Sequence, residues 1–323
     1  MSRFLEALQK EVQLYQSSCW ASSTKASYAT HRRAYLLFCQ KANLTPVPAS
    51  TDTLCYYAAY LARKLRHSSI KQYLNIIRIL HLEWGFPNPT QDNFLLQSTM
   101  RGIRRRLGDA VHRKAPVTPD MLLFYIRSLD LDKPLHAAMW AAALLMFFAL
   151  LRKSNVLPLS PGSFNAELHL RRKDISFIPG GAQVSVRWSK TNQFRSRIHT
   201  ITLPRIPGNL LCPSQALFLA FRLSQGAPPD GPAFVYPQSG LFLALTSSQF
   251  IKHFKSSLQT RYDVSQLAAH SFRRGGASWA YQAGVPIDLI RQLGDWRSNA
   301  YTLYTLPNDK QIASATAKMA QAL

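Results

Sequence analysis

The first hundred residues carry apolar side chains at helical spacing, with no period-two alternation. In one segment the apolar positions are spaced by four, three and four residues: Leu96, Met100, Ile103 and Leu107. Three earlier segments begin at Ser or Thr residues suited to helix capping: "SSTKASYATHRRAYLLFCQKA", "STDTLCYYAAYLARKL" from Ser50, and "HSSIKQYLNIIRILHLEWG" from near Ser68. The pattern predicts a small helical bundle.

The periodicity lapses between Gly108 and Pro116, where "DAVHRKAP" indicates a basic linker. A helix restarts at Thr118 as its cap, with Pro119 at the first helical position. Fifteen apolar residues then run unbroken from 137 to 151, which predicts a buried helix that ends directly before Arg152.

Beyond this helix the pattern changes to period two and predicts a three-stranded antiparallel meander, with a Pro-Gly-Gly turn and a loop around Asn192. Helical patterns return from about Ser214, interrupted by the Pro/Gly-rich loop "GAPPDGPAF". The predicted fold is mainly α with a small antiparallel sheet, in two domains. The expected parts are a helical domain at 1–107, a basic linker at 108–116, and an α+β domain at 117–323 with its sheet at about 173–203 and a tail helix.

Charge narrows the choice of partner. The chain of 323 residues has 39 basic and 16 acidic residues, a net charge of +23, and its 47% apolar content is ample for a core. Such an imbalance points to a polyanion, first nucleic acid and second an anionic membrane surface, although a merely basic soluble protein is the alternative. The longest apolar run is shorter than the roughly 20 residues that span a bilayer, so we expect no membrane crossing.

The four cysteines lack CxxC or Cys/His metal spacing, and the chain opens with a charged amphipathic helix rather than a signal peptide. We therefore expect free thiols and an intracellular protein. Basic residues cluster on the N-terminal helices and the linker, where each could be a solvated charge but the clusters suggest two domains closing around double-stranded DNA. The candidate DNA contacts are Lys25, Arg32, Arg33, Lys71, Arg104, Arg105, Arg106, Arg113 and Lys114.

Four separated segments offer groups suited to a phosphate. Arg152 follows the apolar helix, where a cation could instead satisfy terminal carbonyls. Lys190 lies in the loop between two predicted strands and could be a solvated hairpin tip. In "AAHSFRRGGASWA", His270 and Arg273 share a helical face, although a histidine at a helix start could also be a cap or a core residue.

The fourth segment is "LGDWRSNAYTLYTLP", in which Gly294 ends one helix, Trp296 lies in the connection, and a short helix should carry Tyr301 and Tyr304. Two tyrosines at this spacing could simply be core packing. Each segment alone is weak evidence.

In this order, however, the four segments resemble the tyrosine recombinase family, also called phage-integrase-like, over nearly the whole chain. "LLRKSN", "HSFRRGGASWA" and "GDWRSNAYTLYT" look most like recombinases of eukaryotic mobile elements, the DIRS-like and crypton groups. The resemblance implies a two-domain, C-shaped DNA clamp in which a helical core-binding domain is joined to a catalytic domain.

The mechanism that the resemblance implies is attack by a tyrosine on a DNA phosphodiester, leaving a 3′-phosphotyrosyl link. Arg152 and Arg273 would hold the non-bridging oxygens, and Lys190 would protonate the leaving 5′-oxygen. His270 would assist proton transfer, and Trp296 would buttress the nucleophile. No cofactor is expected, neither a metal nor ATP.

Tyr304 matches the family position of the nucleophile, and Tyr301 would then pack, although spacing from Trp296 is eight residues rather than the family's more usual nine. Asn155 stands where many relatives carry an acidic residue that supports the histidine, which leaves the charge state of His270 open. Arg274 is either a further DNA contact or a surface charge.

The resemblance further implies a homotetramer acting on two DNA sites, in the nucleus if the eukaryotic affinity holds. The tail helix would either dock on a neighbouring subunit or fold back on its own domain. Two alternatives remain: a type IB topoisomerase that acts as a monomer, and a DNA-binding protein derived from a recombinase that forms no covalent adduct.

Overall fold

A computed structural model describes residues 3–108, 114–194, 196–304 and 309–321. The chain divides into two compact units, Met1–His112 and Arg113–Leu323. Most of the predicted linker, residues 109–113, lies outside the described residues. Within the described part of the chain, no helix is both long enough and apolar enough to cross a membrane.

The first unit is helical, as the spacing of its apolar residues predicts. Its helices are α1 (Arg3–Ser18), α2 (Ser22–Ala42), α3 (Thr51–Ala62), α4 (His67–Glu83) and α5 (Phe94–Leu107). Helices α2 to α5 enclose a core that includes Tyr35, Tyr57 and Ile77. Ser50 caps α3 by accepting a hydrogen bond from the backbone N–H of Thr53. The Ser/Thr caps predicted for α2 and α4 are wrong, because Ala21 and Arg66 precede these helices and neither makes a side-chain cap.

The second unit carries helices around one long buried helix. The helices are α6 (Pro119–Ile126), α7 (Pro134–Phe148), α8 (Lys153–Val156), α9 (Pro213–Leu223), α10 (Ser247–Leu258), α11 (His270–Gln282), α12 (Ile287–Leu293) and α13 (Asp309–Gln321). Helix α7 is buried without a break from Ala137 to Phe147, which accounts for its lack of a polar face. It forms the centre of this unit's core.

The predicted meander is confirmed. Strands β1 (Ile175–Ile178), β2 (Gly181–Val186) and β3 (His199–Pro204) form an antiparallel sheet in the order β1-β2-β3. Gly180 provides the positive φ, 84°, that the first turn requires. Alternate residues of β2 are buried, so one face of the sheet covers the core.

The expectation of a single sheet is wrong. Strands β4 (Val235–Gln238) and β5 (Leu241–Ala244) form a second antiparallel pair where only loop and helix were expected. Ser239 and Gly240 join them with φ values of 50° and 77°, the geometry of a tight hairpin turn. Each strand has only four residues, and a proline lies within the first, so the alternation is too short to recognise.

Two adjacent glycines bring α11 to backbone distance from α7 and from the segment that precedes α6. A Cβ on Gly276 would lie 1.8 Å from the Phe147 carbonyl oxygen, and one on Gly275 would lie 1.9 Å from that of Val117. No larger residue fits either position without moving the helix. The sequence "RRGG" therefore fixes the first turn of α11, and with it Arg273, against the core of the unit.

Candidate active site

Arg152 does not directly follow the apolar helix, contrary to the prediction. Helix α7 ends at Phe148, and the chain turns at Leu150, whose φ is 49°. Arg152 then occupies the N-cap position of the short helix α8. Its side chain is partly buried and makes no hydrogen bond or ion pair within the described residues. Because Leu150 and Leu151 are buried in the core, the chain segment between α7 and α8 that carries Arg152 is held firmly in place.

The first turn of α11 supplies two of the predicted groups. His270 opens the helix and is exposed, whereas Arg273, one turn later, has only 2% of its surface exposed. The Arg273 guanidinium donates to the carbonyl oxygens of Leu150 and, at 2.5 Å, Gly294. Its Nε is buried and has no hydrogen-bond partner among the described residues. Arg273 thus links the turn before Arg152 to the segment that leads to Tyr304.

Trp296 covers the buried arginine. The Arg273 guanidinium lies 3.9 Å from the centre of the indole ring, within the range of a cation–π interaction. The ring also lies directly against Gly294, because a Cβ at that glycine would approach the indole to 1.8 Å. The indole also packs against Tyr304 with ring centres 5.8 Å apart. Trp296 therefore connects a catalytic candidate on α11 with the candidate nucleophile.

Tyr304 directs its hydroxyl at the histidine. The Tyr304 Oη lies 3.0 Å from Nε2 of His270, and Ser278 Oγ donates to the Tyr304 backbone carbonyl at 2.9 Å. The predicted short helix is a 3-10 segment, Asn299–Leu303, and Tyr304 follows it instead of lying within it. Tyr301 packs against Trp296 with ring centres 6.4 Å apart. The two tyrosines are therefore distinguished by the imidazole contact, which Tyr304 makes.

Positive charge is concentrated near His270 and Tyr304. Burial, and then the charge of Arg152, lower the pKa of Arg273 to about 9, against the opposing effects of Tyr304 and Asp295. Burial also lowers the pKa of Arg152, and Asp295 and Tyr304 again oppose the shift. The charge of Arg152 thus acts on Arg273, and Tyr304 and Asp295 act on both guanidinium groups. Desolvated cations that repel each other form a site suited to an anion such as a phosphodiester.

His270 experiences the same field. Loss of solvation, and then the charges of Arg273, Arg152 and Arg274, lower the pKa of its imidazole from the ordinary value of 6.5. The imidazole is therefore neutral at pH 7. A neutral ring nitrogen 3.0 Å from a phenol is able to accept its proton.

Lys190 lies in the predicted place, in the loop between β2 and β3, and its side chain is exposed. The residues on each side of it contact Asp295: Ser189 Oγ donates to Oδ2 at 2.7 Å, and Thr191 Oγ1 lies 2.5 Å from the same oxygen. Sequence reasoning missed Asp295. The available signal was an acidic residue, rare in this chain, directly before Trp296.

Comparisons with known proteins identify the fold. No protein-family model matches the chain. It is 25% identical over 282 residues to an integrase/recombinase XerD homolog of Selenomonas ruminantium, across 84% of this chain and 78% of that protein. The Tn1549 transposon integrase bound to transposon right end DNA superposes with a TM-score of 0.60 at 15% identity, covering 96% of this chain and 97% of that one. The fold is that of a tyrosine recombinase.

A second solved structure supports the same assignment. A lambda integrase dimer bound to a core site has a TM-score of 0.58 at 13% identity and covers 94% of this chain and 95% of that one. The likeness to structures with DNA spans both units of the chain. Together with the XerD homolog, it supports the tyrosine recombinase/integrase family that the sequence motifs indicate.

In this recombinase fold, Asn155 does not replace an acidic support for the histidine. Its Nδ2 donates to the backbone carbonyl of Trp188 at 2.8 Å, and its own backbone carbonyl accepts from Leu170. Asn155 therefore attaches α8 to the chain leading into the Lys190 loop. The imidazole of His270 has Tyr304 as its partner instead.

The candidate DNA contacts fall into groups according to their partners within the protein. Arg32 pairs with Glu83 at 2.6 Å, Lys114 Nζ donates to the Ser265 carbonyl at 2.9 Å, and Arg274 donates to the Lys114 carbonyl. Arg113 lies outside the described residues. The candidate DNA contacts with exposed side chains on the helices of the first unit are Lys25, Arg33, Lys71, Arg104, Arg105 and Arg106.

Proposed function

We propose that this protein is a site-specific DNA recombinase that cuts and rejoins DNA through a 3′-phosphotyrosyl intermediate. The observation that carries the proposal is the Tyr304 hydroxyl, 3.0 Å from His270 Nε2 and within the field of Arg152 and Arg273. The nucleophile contacts the base directly, and Arg273 packs on the indole ring that Tyr304 also contacts. Arg152 follows two residues after Leu150, whose carbonyl accepts from Arg273. An acyl or sugar substrate would not require this excess of positive charge, whereas a phosphodiester would.

The reaction exchanges one phosphoester for another. Tyr304 Oη attacks the scissile phosphorus and its proton passes to Nε2 of His270. The bond from phosphorus to the 5′-oxygen breaks, and that oxygen takes a proton from the ammonium group of Lys190. A 5′-hydroxyl from a second strand then attacks the phosphotyrosine in the reverse sense. Because the bond energy is conserved, ATP is not consumed.

The two arginines have different tasks. Arg152 has an uncommitted guanidinium, which is free to grip the non-bridging oxygens as charge builds on them. Arg273 uses N–H groups on two carbonyls and holds Trp296, so it fixes the geometry while its charge and remaining N–H groups act on the same phosphate. These guanidinium groups supply the charge that a metal ion supplies in other phosphoryl-transfer enzymes.

Double-stranded DNA is the proposed partner, held through the charge of +23 and the exposed basic residues of the first unit. We further propose a homotetramer on two DNA sites, the assembly needed to exchange strands between duplexes. The resemblance of three motifs to DIRS-like and crypton recombinases supports a mobile element as the source and the nucleus as the place of action.

The decisive experiment begins by selecting duplexes that the protein binds from a random-sequence pool. The selected site is then placed once on a supercoiled plasmid and once on a linear duplex. We expect an adduct that survives SDS and joint molecules containing both DNAs. Relaxation of the plasmid without joining would identify a topoisomerase, and binding without any adduct would identify a DNA-binding protein.

The lowered pKa of His270 predicts the pH profile of cleavage. At subsaturating DNA the rate constant reports on the free enzyme, so it should fall only when the pH drops below 6.5, as the imidazole becomes protonated and cannot accept the tyrosine proton. His270→Gln should be about 10²–10⁴-fold slower and lack this limb. An acidic limb centred above pH 6.5, or one retained in the glutamine variant, would contradict the assigned base.

A further inference from the structure

We propose that Asp295 is a positioning residue that docks the Lys190 loop onto the segment carrying Tyr304. General acid and nucleophile would thereby reach the same phosphodiester together. The proposal rests on the proposed function, because it assigns a task to Asp295 within that reaction. Asp295 lies directly between Gly294, which supports the Arg273 guanidinium, and Trp296, which packs on Tyr304.

The contacts of Asp295 fall on both sides of the proposed general acid. Ser189 Oγ donates to its Oδ2, and Thr191 Oγ1 lies within hydrogen-bond distance of both that oxygen and, at 3.0 Å, the Asp295 backbone carbonyl. Arg197, at the far end of the same loop, pairs with Oδ1. The loop is therefore fixed at three points to one residue, while the Lys190 side chain between two of them stays exposed.

The internal shape of the loop has a separate source. Asn192 Nδ2 donates to the backbone carbonyls of Arg187 at 3.1 Å and Arg197 at 2.6 Å, across the base of the loop. Asn192 makes the loop compact, and Asp295 sets where the compact loop lies. Removing the Asp295 carboxylate should release the loop from the Tyr304 segment, while the loop keeps the internal conformation that Asn192 stabilises.

The carboxylate remains charged although only 8% of its surface is exposed. Burial alone would raise the pKa of Asp295, but hydrogen bonds from Thr191 and Ser189 and the charges of Arg197 and His199 together lower it. An ionised acceptor makes stronger hydrogen bonds than a neutral one. Asp295 also has a φ of 51°, a conformation that asparagine tolerates equally well, so Asp295→Asn removes the charge without backbone strain.

The test compares two nicked duplexes that differ in one atom, the 5′-bridging atom at the scissile phosphate, which is oxygen or sulfur. A thiolate leaves without a proton, so cleavage of the sulfur substrate does not need Lys190. We expect Asp295→Asn to slow cleavage of the oxygen substrate by about 10–100-fold and that of the sulfur substrate by less than about threefold. The double change Ser189→Ala and Thr191→Ala should give the same pattern.

Two variants calibrate this result. Lys190→Ala should also slow cleavage of the oxygen substrate more than that of the sulfur substrate. Its loss of rate on the oxygen substrate should be larger than that of Asp295→Asn, about 10²–10⁴-fold. Asp174→Asn is the matched control, since Asp174 is also a buried aspartate paired with an arginine, Arg187, but contacts neither neighbour of Lys190. It should change the rates on oxygen and sulfur by equal factors.

Equal slowing of both substrates by Asp295→Asn, or no slowing of either, would overturn the proposal. A wild-type protein that forms no adduct with either substrate would instead refute the proposed function. In that event hydrogen exchange of the DNA-free protein still decides the docking. Amides of residues 188–194 should exchange at least about tenfold faster in Asp295→Asn than in wild type, and unchanged exchange would refute the tether.

Discussion

Tyr304→Phe is expected to abolish covalent attachment to DNA, with a loss of at least about 10⁴-fold in the rate of adduct formation. The change removes one oxygen atom, the atom that lies 3.0 Å from His270 Nε2. The phenyl ring that remains can still pack against Trp296, so the fold and the binding of intact DNA should persist. The measurement is the fraction of a labelled, nicked duplex that stays with the protein in SDS.

Tyr301→Phe is the matched control for this change. Tyr301 lies three residues earlier, packs on the same indole, and makes no hydrogen bond to His270 within the described residues. Removing its hydroxyl should therefore leave adduct formation within about twofold of wild type. An adduct formed by Tyr304→Phe but not by Tyr301→Phe would exchange the roles of the two residues.

Arg152→Ala is expected to slow cleavage by about 10²–10³-fold, the usual loss when one preorganised donor to a transition-state oxyanion is removed. The Arg152 guanidinium makes no hydrogen bond within the described residues. Its positive charge adds to the effect of burial in destabilising the Arg273 cation. The melting temperature of the variant should therefore equal or exceed that of wild type. Single-turnover cleavage and thermal unfolding measure the two effects.

Lys153→Ala provides the control, because it removes the exposed cation that follows directly in the chain. It should leave the single-turnover rate constant within about threefold of wild type and weaken binding mainly at low salt. If Lys153→Ala and Arg152→Ala slowed cleavage equally, Arg152 would be contributing only general positive charge. A lower melting temperature for Arg152→Ala would show that the residue stabilises the fold.

Local patterns predicted most of the fold. The cap at Ser50, the proline start after Thr118 and the alternation of β2 all depend on neighbours in sequence, and each appears where it was expected. The second hairpin was missed because a strand of four residues with Pro237 in it carries too little alternation to recognise.

The limits of the apolar helix were misjudged for a related reason. Hydrophobicity continues through Leu151, but the helix ends at Phe148 and Leu150 takes a positive φ. Burial depends on apolar character alone, whereas helical conformation also depends on the contacts of the turn. Here the Leu150 carbonyl accepts from Arg273, which lies more than a hundred residues away.

The site was predictable in its parts and unpredictable in its connections. The spacing of His270 and Arg273 predicted a common turn, and a single helix contains both. The meeting of His270 with Tyr304 depended on a family resemblance, since no local pattern brings together residues 34 positions apart. Asp295 was not predicted as a site residue because its partners lie in the loop after β2, and only the folded chain brings them together.

The most direct test of the central claim is to locate the DNA phosphate on the wild-type protein after trapping with a nicked duplex. Trypsin digestion yields a peptide of residues 298–310 that contains both tyrosines, and fragmentation in the mass spectrometer assigns the modified one. We predict a nucleotide linked through phosphate to Tyr304. A nucleotide on Tyr301 or any other residue, or cleaved DNA with no nucleotide on the protein, would contradict the account.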